Sequence, residues 1–247
     1  MVFKLILLLC VDGIDPDHVK ENNFSNFKNN LKLKIPESCY IQTDYGREPH
    51  TTRVWPTIFS GKNIDYGIQK RGKTRQIIHD WMVKNKISWS GPQEYNIAPI
   101  NVNLDTIFDH YHSFKWNIPT ICPEWISSYP SIDAWRKYMI REYQMWIMMS
   151  LGCIYSNYDL IGLYTRRLDY VGHQEPDNMN TLYHNIFEHA DLLNTKVNVI
   201  IISDHGCIDK YHTDYAYAGS DLSITANSVI EIRTNIEKLM KDTNLVY

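Results

Sequence analysis

No stretch of this sequence is apolar for long enough to cross a bilayer as a helix, so no membrane partner is expected. Its five cysteines (Cys10, Cys39, Cys122, Cys153, Cys207) include no CxxC pair. Their odd number argues against a disulfide framework and for a reducing, cytoplasmic setting. Excess positive charge is missing as well: 25 Lys and Arg against 28 Asp and Glu leave a formal charge of -3, which excludes general coating of nucleic acid through a broad basic surface. Linkers rich in Pro, Gly or Ser, internal repeats and low-complexity tracts are all lacking. Residues 1–247, 44% hydrophobic, are therefore expected to fold as a single domain around one large core. Leu7-Leu8-Leu9-Cys10 superficially suggests a lipoprotein signal. The run is short for one, and a bulky Leu stands where a small residue should precede cleavage, so a first strand is expected there instead.

What the chain does have is a set of apolar runs that end in metal-binding residue types. Val197-Asn198-Val199-Ile200-Ile201-Ile202 is β-branched and apolar at nearly every position, the mark of a strand buried on both faces, and it leads through Ser203 into Asp204-His205-Gly206. Phe3–Val11 delivers Asp12-Gly13, and Tyr158–Tyr164 leads within a few residues to Asp169 and His173. In α/β proteins the C-terminal ends of such strands form the ligand crevice. Carboxylates and imidazoles gathered there suit borderline divalent cations such as zinc or manganese.

Between these runs the pattern alternates strand-like with helix-like segments, which predicts an α/β fold: an α/β/α sandwich around a mainly parallel sheet. Helices are expected from Asp15-Pro16-Asp17 to about Phe27, over Lys73–Lys84, Ser131–Tyr155, Asn178–Leu193 and Ala226–Lys241. Short strands are expected at Ser38–Gln42 and Ile87–Trp89. Pro49–Gly61 reads as a polar turn and a short helix closed by Gly61. Residues 86–130 otherwise read as a long irregular excursion, whose Tyr95, Tyr111, Trp116 and Trp125 are either aromatic core or base-stacking surface. Asp169 and His173 share a face if their segment is helical, although Gly172 also permits a loop.

In chain order the candidates are Asp12, Thr51 or Thr52, Asp169, His173, Asp204, His205 and His212. Val11-Asp12-Gly13, a threonine about ten residues before Ser60-Gly61, Asp169-Tyr-Val-Gly-His173, Asp204-His205-Gly206 and the late His212 together resemble the alkaline phosphatase superfamily. Within it they are most similar to the type I phosphodiesterase/nucleotide pyrophosphatase branch. The resemblance implies two divalent cations, one held by Asp169, His173 and His212, the other by Asp12, Asp204, His205 and the nucleophile oxygen. Counting back ten from Gly61 makes Thr51 the nucleophile, a residue that takes the phosphoryl or nucleotidyl group covalently. Trp55 fits the branch's TxPxW pattern, but Arg53 stands where that pattern has proline. The Asn that binds a phosphoryl oxygen in the branch would fall at Val54, so that role passes elsewhere, with Arg53 the candidate substrate contact. The implied substrate is a small phosphate compound, a nucleotide or cyclic nucleotide. The rival readings are a phosphomonoesterase of the same superfamily and a non-catalytic metalloprotein that sequesters a nucleotide.

Gly67-Ile-Gln-Lys-Arg-Gly72-Lys73-Thr74 matches the phosphate-loop pattern GxxxxGK[ST] in full. That motif works only when a buried strand feeds the loop, and the polar Ser60–Tyr66 is no such strand. The basic cluster of Lys62, Lys70, Arg71, Lys73 and Arg75 reads as a solvated face that could also steer an anionic substrate.

Overall fold

A computed structural model describes residues 5–43, 46–64, 104–122 and 131–244. The helix expected over 73–84, the strand over 87–89, the phosphate-loop-like 67–74 and the aromatics Tyr95 and Trp125 lie outside the described residues.

The strands are β1 (Ile6–Val11), β2 (Asn29–Lys34), β3 (Tyr40–Thr43), β4 (Gly46–Pro49), β5 (Ser113–Trp116), β6 (Leu160–Thr165), β7 (Asn198–Ser203), β8 (Gly206–Ile208), β9 (Tyr211–Thr213) and β10 (Tyr215–Ser220). The helices are α1 (Pro16–Asn22), α2 (Thr51–Ser60), α3 (Ile132–Cys153), α4 (Arg167–Gln174), α5 (Met179–Asn194) and α6 (Ile232–Asn244). A six-stranded sheet runs β2-β10-β7-β1-β6-β5. β1 is parallel to β6 and β7, and β5 is parallel to β6. β10 runs antiparallel to both β7 and β2. The protein is therefore an α/β fold with a mainly parallel sheet, as the alternation of runs predicts.

Every residue of β1 and β6 is buried, because both faces of the sheet are covered. One face packs Leu7, Leu9, Ile161, Leu163, Val199 and Ile201 against helix residues such as Trp146, Ile186 and Phe187. The other packs Leu8, Cys10, Tyr164 and Ile200 against Trp55, Ile58, Phe59 and Ile236. This two-sided burial is why the core strands read as continuous apolar runs rather than alternating ones.

Several boundaries differ from expectation, each for a local reason. α1 stops at Asn22 rather than near Phe27 because Asn23 turns left-handed at φ 53° and caps it. The expected strand at 38–42 opens as a short 3-10 turn, Glu37–Cys39, before β3. The last helix begins at Ile232 rather than Ala226, after a 3-10 turn at Val229–Glu231. β5 lies inside the stretch read as irregular. β2 and β10 were not anticipated, and β10 alone among the six strands of the sheet runs against its neighbours.

Gly13 holds the strand ends together. Its φ of 93° is one that residues with a side chain rarely adopt, and a Cβ there would come within 2.8 Å of the Asp169 Cα and N. The missing side chain lets the Asp169 N–H donate to the Asp12 carbonyl at 3.1 Å, so the start of α4 is laid directly on the end of β1.

Candidate metal centre

Three parallel neighbours, β6, β1 and β7, end side by side, and their following residues converge. Asp12 leaves β1 and Asp204 leaves β7, 3% and 0% exposed. Asp169 and His173 sit one turn apart on α4, which resolves the choice between helix and loop at Gly172 in favour of helix. Thr51 is the first residue of α2. His212 comes from β9, the second strand of a small ribbon with β8.

One half of the cluster is built around His205. Its Nε2 lies 3.3 Å from Asp12 Oδ1, 3.3 Å from Asp204 Oδ2 and 3.1 Å from Thr51 Oγ1. Its Nδ1 lies 3.2 Å from the Gly206 carbonyl, which can only accept, so Nδ1 carries the hydrogen and Nε2 presents a lone pair. Burial, reinforced by neighbouring His212, holds the imidazole neutral by lowering its pKa well below the usual value. A neutral ring thus aims a lone pair at two carboxylates. Neither oxygen of Asp204 has a hydrogen-bond partner, nor does Asp12 Oδ1. Asp12 Oδ2 accepts from the Tyr164 hydroxyl at 2.5 Å and from Thr51 at 3.4 Å.

The other half centres on Asp169 Oδ1, 3.3 Å from His173 Nε2 and 3.4 Å from His212 Nε2. The two imidazole nitrogens are 3.0 Å apart. His212 Nδ1 faces the Pro49 carbonyl at 3.3 Å, which again turns its Nε2 inward. The His205 and His212 rings stack with centroids 4.0 Å apart and join the two halves.

This donor set fits divalent cations. Buried carboxylate oxygens without donors, facing imidazole lone pairs, are costly unless positive charge compensates them. Potential ligand atoms of Asp12, Asp204 and His205 lie within 4.8 Å of one another, as do those of Asp169, His205 and His212. The carboxyl pKa values show the same strain: burial and then Asp169 raise Asp12 to about 6, and burial and then Asp12 raise Asp204 well above its usual range. Asp169 raises His173 to about 9. A cation must displace a proton from His173 below about pH 9 and from Asp12 below about pH 6. Affinity for zinc or manganese should therefore climb between those two pH values, and calorimetric titration across that range checks it. A flat profile would contradict the assignment of these side chains as ligands.

Thr51 and Thr52, which spacing leaves open, are separated by the start of α2. The Thr51 hydroxyl faces Asp12 and His205, whereas Thr52 is turned to His50, its Oγ1 2.7 Å from Nδ1. His50 caps the helix by accepting from the Thr52 N–H at 3.3 Å. Burial lowers its pKa to about 4, so it is neutral and able to accept. Arg53 is placed differently from the acid and histidine cluster: its Nη1 donates to the Ser38 and Tyr40 carbonyls at 2.7 and 3.0 Å, tying α2 to β3.

Sequence reasoning missed Tyr164 and Glu142. Tyr164 is fully buried on β6 opposite Cys10. A tyrosine next to the last residue of a buried strand needs a partner for its hydroxyl, and that is the signal that could have flagged it. Glu142, buried on α3, accepts from the Arg166 N–H at 2.8 Å and Asn117 Nδ2 at 2.6 Å. It thereby anchors the turn that carries Asp169. Nothing in the helical pattern of α3 distinguishes it from a solvent-facing Glu.

Fold and site together define an α/β protein with a candidate metal centre at its strand ends. No protein-family model and no curated protein matches the sequence. Among solved structures, the chain is similar to alkaline phosphatase from the Antarctic bacterium TAB5, at 11% identity and a TM-score of 0.45, over 98% of this chain and 99% of that one. It is similar to protein PH0037 from Pyrococcus horikoshii at 10% identity and a TM-score of 0.42, over 100% and 99% of the two chains. It is also similar to murine ectonucleotide pyrophosphatase/phosphodiesterase 5, at 14% identity and a TM-score of 0.41, over 82% of this chain and 57% of that one. An inactive variant of the murine protein was solved with AMP. Among the described residues no helix is long and apolar enough to cross a membrane, and all five cysteines are free and buried.

Proposed function

We propose that this chain is a metal-dependent phosphoric ester hydrolase of the alkaline phosphatase superfamily, a phosphodiesterase or nucleotide pyrophosphatase whose residues 1–247 form one catalytic domain. The observation that supports it most is Asp204: wholly buried, both oxygens without hydrogen-bond partners, beside Asp12 and the Nε2 of His205, with the Thr51 hydroxyl 3.1 Å from that nitrogen. Asp12, Asp204, His205 and the Thr51 oxygen would hold one cation, and Asp169, His173 and His212 the other. Bound there, two such ions, zinc or manganese, would stabilise charge on the attacking and leaving oxygens of an in-line displacement.

The chain's own groups do the rest. Thr51 supplies the nucleophile: its O–H bond breaks, the proton passing to solvent, and its oxygen bonds to phosphorus. As it does so, the bond to the leaving alcohol or phosphate breaks and the leaving oxygen takes a proton from solvent. Water then hydrolyses the phosphothreonine ester and restores the hydroxyl. Its place at the first position of α2 sets the phosphoryl group at a helix N-terminus, where the helix dipole favours negative charge. Tyr164 fixes Asp12 by donating to Oδ2, leaving Oδ1 turned to His205. The Gly206 and Pro49 carbonyls hold His205 and His212 in the tautomers that present Nε2. A nucleotide or cyclic nucleotide is the proposed substrate, following the branch the motifs resemble.

Turnover of a nucleotide diester and of the matching monoester, with zinc or manganese added, distinguishes the readings. Faster diester cleavage, with a phosphoryl or nucleotidyl mass on the peptide carrying Thr51 after acid quenching, is expected. Monoester preference would favour the phosphatase reading, and tight nucleotide binding without turnover the sequestering one.

A further inference from the structure

Cys207 is not among the residues assigned to either cation, yet three independent features of the fold bring it to the Asp169 side of the centre. The first is strand register. In the β8–β9 ribbon Cys207 pairs directly with His212, and directly opposed residues of an antiparallel pair project from the same face. Since His212 is turned toward Asp169 and His173, Cys207 is turned the same way. The second is the surface it meets. Gly172 lies on α4 immediately before His173, and a Cβ there would come within 2.6 Å of the Cys207 sulfur and 3.1 Å of its Cβ. The absence of a side chain at Gly172 is what lets the sulfur reach the helix that carries Asp169 and His173. The third is donor geometry: the Cys207 sulfur, an Asp169 oxygen and a His173 nitrogen all lie within 4.8 Å of one another. The other four cysteines occur in no such group among the described residues.

We propose that Cys207 is a ligand of the cation held by Asp169 and His173. The inference rests on the two-cation reading above and sharpens it, because a sulfur donor changes which metal the site prefers. Thiolate is a soft ligand that suits zinc, whereas carboxylate and water suit magnesium and manganese. On binding, the S–H bond breaks, the sulfur–metal bond forms and the proton passes to solvent. With His212 already assigned there, Asp169, His173 and Cys207 would complete a four-coordinate shell that a substrate oxygen would expand to five. The other half, with Asp12, Asp204, His205 and Thr51, offers only oxygen and nitrogen. The two halves therefore differ in softness, and zinc is drawn first to the Cys207 side.

The test is to load the full-length protein with cobalt(II) and record its absorption. A sulfur-to-cobalt charge-transfer band in the near ultraviolet, present in the wild type and absent in Cys207→Ser and Cys207→Ala while visible cobalt bands persist, is the expected result. Zinc affinity measured by competition with a chelator should fall about tenfold or more in those variants, with manganese affinity changed much less. The wild-type spectrum decides the matter even if a variant fails to fold. Cobalt bound without the near-ultraviolet band would overturn the role of Cys207 and leave the two-cation reading standing. No cobalt bound at all would overturn both.

Discussion

Asp204→Asn is expected to raise the melting temperature of the cation-free protein and to weaken its stabilisation by zinc or manganese. The two effects have one cause. Asp204 is wholly buried next to Asp12, and burial together with that neighbouring carboxyl raises its pKa well above the usual range. Burial favours the protonated acid in the fold while the unfolded chain ionises it, so an Asn of the same shape removes a destabilising ionisation. Each kcal/mol gained is worth about 2–4 °C in a chain of this size. The sign has a pH signature. A carboxyl whose folded pKa lies above its ordinary 3.8 destabilises the fold progressively as pH rises past that value. The gain from Asn should therefore be absent near pH 4 and grow toward neutrality. Added cation works the other way: at a hundred times its dissociation constant each bound cation stabilises the wild type by about 2.7 kcal/mol, and the variant, left with only the Asp169 side of the centre, gains less. Thermal melts of both proteins at several pH values, with and without metal, measure all of this. A variant that melts lower without metal yet responds to it as fully as the wild type would mean that Asp204 is an ordinary structural residue.

Thr51→Ala should reduce phosphodiester turnover by about a thousandfold or more, whereas Thr52→Ala should change it only a few-fold. Removal of a covalent nucleophile leaves only what binding and charge stabilisation provide. Thr51 offers its hydroxyl to Asp12 and His205, while Thr52 spends its own on His50. Loss of the Thr52 hydroxyl weakens the start of α2 by about 1 kcal/mol, the usual scale for one hydrogen bond. Cation binding should survive in Thr51→Ala, since Asp12, Asp204 and His205 all remain, so melts in the presence of metal separate lost chemistry from a lost site. The reverse ranking, with Thr52→Ala the inactive variant, would remove Thr51 from the mechanism.

Much of this architecture is local and therefore readable from residue order. Continuous apolar runs over 6–11, 160–165 and 198–203 read as strands covered on both sides, and acids and histidines directly after such strands lie at the crevice formed by their ends. Gly61, left-handed at φ 63°, stops α2 where a glycine is expected to. Other features depend on residues far apart in the chain. Whether a strand pairs parallel or antiparallel is not encoded in its own side-chain pattern, so β10 and its partner β2 became visible only once the sheet was assembled. The Thr51 and Thr52 hydroxyls are adjacent and chemically identical, and only the angle at which α2 leaves β4 points one at Asp12 and the other at His50. The tautomers of His205 and His212 depend on carbonyls that the fold alone brings within reach. Composition and order determined the covered sheet and the donor types at its edge. Tertiary packing decided which atoms of those donors face one another, because direction, unlike identity, is set by neighbours distant in sequence.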